Sequence, residues 1–343
     1  MEAGETPTCV ADFPAESPTE KCSVKPTAFG VVTKSNHVHS DCETKRERGG
    51  MDTLTVSLRV THHTARLNGI TQHWVTAGDG PPIYLLHGFP ETWFAWRKQI
   101  PVLAERYTII APDLRGYGES EKPHSGYDKR TMANDLAALM DHHGHKRAPI
   151  IGHDRGARVG TRFAKDHRDR IDRFAALDNV PTRILVENSS PGLNHTAWFS
   201  IFLGVPDLPE ALIAGREEVW LTHFYRSWSY NPELLSPEEI DVYVRAYQQP
   251  GAVRGSAMDY RATAEDVKQD KVDVEQLITC PVLVLWGEDF EVNSRFFNIL
   301  DVWRGMAEDV RGRGMPQCGH LCQEERPDIV NEELLRFLEG WTG

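Results

Sequence analysis

The residues with the clearest chemical potential lie in one short stretch, Ile150-Ile151-Gly152-His153-Asp154-Arg155-Gly156-Ala157-Arg158. An apolar run leads into Gly-x-Asp-x-Gly, and the residues that follow read as a helix. Such a strand–turn–helix holds its central residue at the top of a sheet in a strained backbone conformation, and the flanking glycines let the chain pass close to itself. Here the central residue is aspartate. A carboxylate attacks a saturated carbon, displaces a leaving group and leaves an alkyl ester on the protein, whereas attack on a carbonyl would give a mixed anhydride. The plainer reading, an ordinary turn with the aspartate as a helix N-cap, explains the turn and nothing downstream of it.

Downstream, an acid and a histidine follow in the order that a nucleophile, its acid and its base take in chains of this kind. Asp178 ends the next apolar run and His320 sits in Gln317-Cys318-Gly319-His320-Leu321, after the last expected strand and before a terminal helix at 326–340. His320 would activate water against the ester, and a carboxylate would fix its tautomer and stabilise its charged form. Asp178 is the first choice for that carboxylate, and the Glu288-Asp289 pair is the rival. Backbone N–H groups of Phe89 and Arg155 are placed to hold the oxyanion formed during ester hydrolysis. Arg155 and Arg158, one and four residues beyond Asp154, face the same side of the following helix, where two guanidinium forks could bind a carboxylate.

The elements that must position these residues alternate along the chain. Strand-like runs are expected at 53–60 and 71–76, then as continuous apolar stretches at 83–86, 107–111, 148–151, 173–177 and 281–286. Continuous apolar runs mark parallel strands covered on both faces. Helical spacing at 91–104, 130–143 and 156–167 separates them, which predicts an α/β fold with a doubly wound, mostly parallel sheet. Residues 51–178 and 278–343 are assigned to this core. Residues 179–277 are too long for a loop and carry helical spacing with many aromatics, among them Trp198, Phe199, Trp228, Tyr243, Tyr247 and Tyr260. They are read as an inserted helical cap.

Composition narrows the function classes. The 343-residue chain carries a formal net charge of −12 and 26% charged residues, with a mean hydropathy of −0.45. This balance argues against a nucleic-acid partner, and no apolar run approaches the length of a bilayer span. Residues 1–50 are polar, lack apolar periodicity and are read as a disordered extension without a signal-peptide core. The six cysteines show no zinc-site spacing and are read as reduced thiols, giving a cytoplasmic expectation. Asp141-His142-His143-Gly144-His145 resembles a metal motif but ends a predicted helix, so neither a metal nor a cofactor is expected.

With those residues in place, the sequence resembles the haloacid (fluoroacetate) dehalogenase and epoxide hydrolase-like branch of the α/β-hydrolase superfamily over nearly all of 65–340. The similar stretches are Gly80-Pro-Pro82, His87-Gly-Phe-Pro-Glu91, Leu103-Ala-Glu-Arg106, Asp113-Leu-Arg-Gly-Tyr-Gly118, Gly152 to Arg158, Leu177-Asp-Asn-Val-Pro181, Asp259-Tyr-Arg-Ala262 and Asp301-Val-Trp303. The resemblance implies an eight-stranded α/β-hydrolase fold with a helical cap, no cofactor, a small-molecule substrate and a homodimer. It implies Asp154 as nucleophile, His320 as base, Asp178 as its partner, and Arg155 with Arg158 as a clamp on a substrate carboxylate. Trp198 and Tyr260 become the expected cap contacts. Members that cleave C–F bonds carry a His-Trp pair in the cap; Trp198-Phe199 stands here instead, which removes halide donors that fluoride needs and a larger halide needs less.

The expected activity is therefore displacement of halide from a small 2-haloacid. Epoxide hydrolysis uses the same three groups, with cap tyrosines such as Tyr260, Tyr243 and Tyr247 protonating the opening ring. A neutral epoxide does not need two cations, so Arg155 and Arg158 discriminate between the readings. A binding protein that retains this fold without turnover is the third, since fold alone does not establish activity.

Overall fold

The computed structural model describes residues 58–343; the expected extension at 1–50 lies outside them. Eight strands form one sheet: β1 (Thr61–Leu67), β2 (Ile70–Ala77), β3 (Pro82–Leu86), β4 (Thr108–Pro112), β5 (Ala148–His153), β6 (Ile171–Leu177), β7 (Val282–Gly287) and β8 (Val310–Met315). Their order is β1-β2-β4-β3-β5-β6-β7-β8. β2 runs antiparallel to β1 and β4, and the remaining neighbours are parallel.

Side-chain alternation explains why the central strands read as continuous apolar runs. Tyr84 and Leu86 of β3 enter one core layer with Ile110, Ile150 and Phe174, while Ile83 and Leu85 enter the other with Ile109, Ile151 and Ala175. Each strand thus buries both of its faces under helices. The α/β-hydrolase fold expected from the sequence is the fold observed.

Of the strand expected at 53–60, residues 53–57 lie outside the described residues and 58–60 are not in a strand; the first described strand is Thr61–Leu67. The hairpin turns at Asn68-Gly69, with φ 44° and 81°. Positive φ at both central residues is the geometry of a two-residue turn that matches strand twist. This turn fixes the register Leu67↔Ile70 through Thr61↔Thr76, so the strand is the polar Thr61–Leu67 segment. Likewise the helix expected over 91–104 divides into a 3-10 turn, Trp93–Trp96, and the short helix Ile100–Leu103.

Between β6 and β7 the chain passes through eight helices, from Thr182–Glu187 to Thr263–Val272, and no strand. Their aromatic faces close over the end of β5: Phe199, Phe224 and Trp228 pack with Phe89, which follows β3. This packing covers Asp154 with apolar surface.

Candidate active site

Asp154 is the first residue of the helix Asp154–Asp166, directly after β5, and has φ 43°. Left-handed backbone is costly for an L-residue with a side chain, and close packing around the turn enforces it. A Cβ added at Gly156 would stand 2.2 Å from the Leu86 carbonyl oxygen. Glycine is therefore what lets this helix start against β3. The Asp154 carboxylate accepts a hydrogen bond from the Phe89 backbone N–H at 3.0 Å, and its own carbonyl accepts one from the Asn179 side chain at 3.0 Å.

His320 lies over this turn. Its Nε2 is 3.9 Å from Asp154 Oδ2, and its Nδ1 is 2.5 Å from Asp178 Oδ2. Asp178 also accepts the Gly287 backbone N–H at 3.0 Å. The rival acid is excluded by position: Asp289 is exposed and accepts the Cys318 N–H at 3.2 Å instead. His153, next to Asp154, has both ring nitrogens engaged within the protein. Its Nδ1 pairs with buried Glu91 at 2.8 Å and its Nε2 donates to the His320 carbonyl at 2.8 Å. Glu91 in turn accepts from Gly88 N–H and the Gln323 side chain, so one buried network carries both the histidine loop and the loop after β3.

The charges at the site are coupled. Burial pushes His320 down, but hydrogen bonding to Asp154 and Asp178 and the charges of both carboxylates outweigh it and lift the imidazole to about 10. Burial likewise raises Asp154, and His320 and then Arg158 overcome that effect and hold the carboxylate well below its usual range. The resting pair is thus carboxylate and imidazolium.

A cavity of about 360 Å³ opens onto Asp154, His320, Arg155 and Arg158 and is walled by Phe199, Trp228, Tyr260 and Phe290. The two arginines differ sharply. Arg155 is committed: Nε and Nη2 bond the Asp259 carboxylate at 3.0 and 2.6 Å, and the guanidinium lies 4.4 Å over the Tyr260 ring. The equal pair of forks expected from the sequence is corrected accordingly, because Asp259 already answers one of the two charges. Arg158 donates to Thr182 Oγ1 at 3.0 Å and its buried Nε has no partner. No carboxylate among the described residues forms an ion pair with it. Burial first, and then Arg155, push its guanidinium below its usual value.

The cap contacts also need correction. Trp198 does not line the cavity; it is 41% exposed and packs against Trp220 and His223. Phe199 turns inward, because adjacent helical residues are rotated by about 100° from each other. Tyr260 does line the cavity. Tyr243 bonds Glu324 at 3.1 Å, Tyr247 packs on Phe89, and neither reaches the cavity. Besides Phe199, the sequence reading missed two further wall residues, Trp228 and Phe290. Trp228 packs edge-on against His320 at 4.9 Å between ring centroids, and its carbonyl accepts the His320 N–H. Phe290 lies 4.5 Å from the same ring. Proximity to Gly287-Glu288-Asp289 was the available signal for Phe290.

Comparison with known proteins agrees with this geometry. Residues 81–327 match the model of the alpha/beta hydrolase fold family. The chain is 39% identical to the soluble epoxide hydrolase of Corynebacterium sp. (strain C12), over 82% of this chain and 98% of the relative. It is 34% identical to the fluoroacetate dehalogenase of Burkholderia sp., over 78% of this chain and 90% of the relative. The solved structure of epoxide hydrolase CorEH without ligand superposes with a TM-score of 0.78 at 39% identity, covering 82% of this chain and 99% of that one. The chain belongs to the α/β-hydrolase family and is an enzyme of its epoxide hydrolase and dehalogenase group.

Proposed function

We propose that the protein displaces halide from a small 2-haloacid, with Asp154 as nucleophile. The observation that carries this reading is Arg158: a half-buried guanidinium with a buried, unpartnered Nε and no carboxylate ion pair among the described residues, beside the Asp154 carboxylate in the wall of a small cavity. An unpaired buried cation is costly, and a substrate carboxylate offsets that cost. An anion seated on Arg158 presents its adjacent carbon to Asp154. The Asp154 oxygen forms a C–O bond as the carbon–halogen bond breaks, and halide departs with the bonding electrons.

The second half follows from the charge coupling. Once Asp154 is an ester it is neutral, and His320 loses one of the two carboxylates that hold its proton. Its pKa falls and it becomes competent as a base. Water then gives a proton to His320 Nε2 and attacks the Asp154 carbonyl carbon. The Phe89 N–H, already 3.0 Å from Asp154 Oδ2, stabilises the oxyanion, and Arg155 N–H is the expected second donor. Collapse releases the 2-hydroxyacid and restores the Asp154 carboxylate. Asp178 stabilises the imidazolium throughout.

A second reading has its own observation. Tyr260 lines the cavity, and its hydroxyl makes no hydrogen bond among the described residues, which suits it to protonating an opening epoxide; the 39% identical relative is named an epoxide hydrolase. Chloroacetate, fluoroacetate and styrene oxide assayed side by side decide between them. Halide release from chloroacetate, abolished in Asp154→Asn and with KM raised at least about tenfold in Arg158→Leu, is the expected result; tenfold corresponds to about 1.4 kcal/mol of lost binding. Diol formation from styrene oxide with no halide release would transfer the assignment to epoxide hydrolysis, and inactivity on all three would leave a binding role.

A further inference from the structure

Outside the cavity that opens onto Asp154, two histidines on the β1–β2 hairpin face each other. The register pairs His62 with Val75, which places His62 diagonally across from His73 on the same face of the hairpin. Diagonal cross-strand neighbours are within reach of each other when their side chains are long or aromatic. His62 Nδ1 and His73 Nε2 are 3.0 Å apart, and Glu119 Oε2 lies 3.8 Å from the same His73 nitrogen. All three ligand atoms fall within 4.8 Å of one another. Among the described residues this is the one trio of histidine, cysteine or carboxylate side chains that converges so closely.

The arrangement behind His73 is the second observation. Its Nδ1 is 2.7 Å from Asp113 Oδ2, and Asp113 is buried and fully engaged. Its other contacts are the backbone N–H groups of Trp93 and Glu119, both at 2.9 Å. Asp113 therefore accepts from His73 Nδ1–H, and the His73 Nε2 lone pair is directed outward at His62 and Glu119. A carboxylate that fixes the tautomer and raises the basicity of an imidazole is the usual support for a metal-ligating histidine. Two zinc-bound nitrogens at 2.0–2.1 Å in tetrahedral geometry stand about 3.3 Å apart, close to the separation already present. Trp93 packs edge-on against His62 at 5.4 Å and limits its movement.

We propose that His62, His73 and Glu119 form a binding site for a borderline divalent transition metal, with Zn2+ as the reference ion. Two imidazoles and a carboxylate suit zinc and copper better than calcium or magnesium, which favour all-oxygen sets. Three protein ligands, of which His62 and Glu119 are exposed, leave at least one position to water. None of the three residues lines the catalytic cavity, so the ion is not part of the hydrolytic step; it ties β1 to the loop that carries Glu119. The conspicuous histidines at 142–145 are arranged otherwise: His145 bonds the Tyr84 hydroxyl and His143 packs on Trp74.

The test is titration of the full-length, chelator-stripped protein with Zn2+ by calorimetry, followed by Co2+ absorption to report tetrahedral coordination. His62→Ala and Glu119→Gln remove exposed side chains and spare buried His73. Each is expected to weaken binding by at least about tenfold, and His62→Ala to remove one site from the stoichiometry, with hydrolytic turnover unchanged. His143→Ala serves as the control and keeps the site. Equal affinity and stoichiometry in wild type and His62→Ala, or no uptake of Zn2+ by the wild type, would overturn the proposal.

Discussion

Asp154 and His320 titrate as a unit, and this makes the free enzyme's protonation state a measurable consequence of geometry. With its pKa lifted to about 10, His320 is imidazolium across neutral pH. Histidine NMR is expected to show its ring charged until the pH passes well above 8, and Asp154→Asn to return the transition toward the ordinary histidine range. The stability linkage has the matching sign. A folded pKa above the unfolded value of about 6.5 contributes stability that is fully present below pH 6.5 and disappears as pH rises toward the folded pKa. A ring that titrates near 6.5 in the wild type would refute the coupling. At this scale the sequence was most legible where one backbone motif dictates one geometry, as for the turn at Asp154. Arg155 was less legible, because its partner Asp259 is 104 positions away and no local pattern announces a pairing across that distance.

The nucleophile turn is a property of β5 and its helix together, and its glycines are where a small change has a large effect. Gly156→Ala would set a Cβ 2.2 Å from Leu86 O and 2.4 Å from His87 O. Both are backbone atoms, at the end of β3 and in the residue after it, that cannot rotate away. Overpacking of cores costs about 1–3 kcal/mol, and a clash with backbone belongs at or above the upper end, so chemical denaturation should show a loss of about 3 kcal/mol or more. Gly204→Ala, at the end of the helix Trp198–Gly204 with open space around its Cβ, should be close to neutral; equal effects would mean that crowding at the turn is not the cause. The buried parallel strands were legible because burial on both faces leaves an unbroken apolar run. β1 was not, since Thr61–Leu67 is an edge strand with mainly exposed or half-exposed residues, and its register comes from the Asn68-Gly69 turn. The same limit hid the metal-like trio: His62 and His73 are 11 residues apart in sequence and meet only once the hairpin closes.

The helices between β6 and β7 meet the sheet's own helices at a buried ion cluster around Asp259. Asp259, in the helix Ala252–Arg261, is fully buried and bonds Arg155 beside the nucleophile, Lys129 at the start of the helix Lys129–His142, and Tyr117 at 2.8 Å. Burial alone would raise its pKa, and Arg155 and Lys129 reverse that and hold it strongly acidic. Replacing the whole cluster with apolar residues would test little, since a buried ion pair often contributes nothing net over a hydrophobic isostere. Removing only its acid is different, because two buried cations then face each other with Asp266, 3.5 Å from Lys129, as the remaining counter-charge nearby. Asp259→Ala is therefore expected to cost about 3–5 kcal/mol. Because Asp259 also fixes Arg155 over the Tyr260 ring, the variant should lose hydrolytic activity under conditions where it is still folded. Unfolding at the wild-type denaturant midpoint would show that the Asp259 cluster does not hold these helices in place and serves only to aim Arg155.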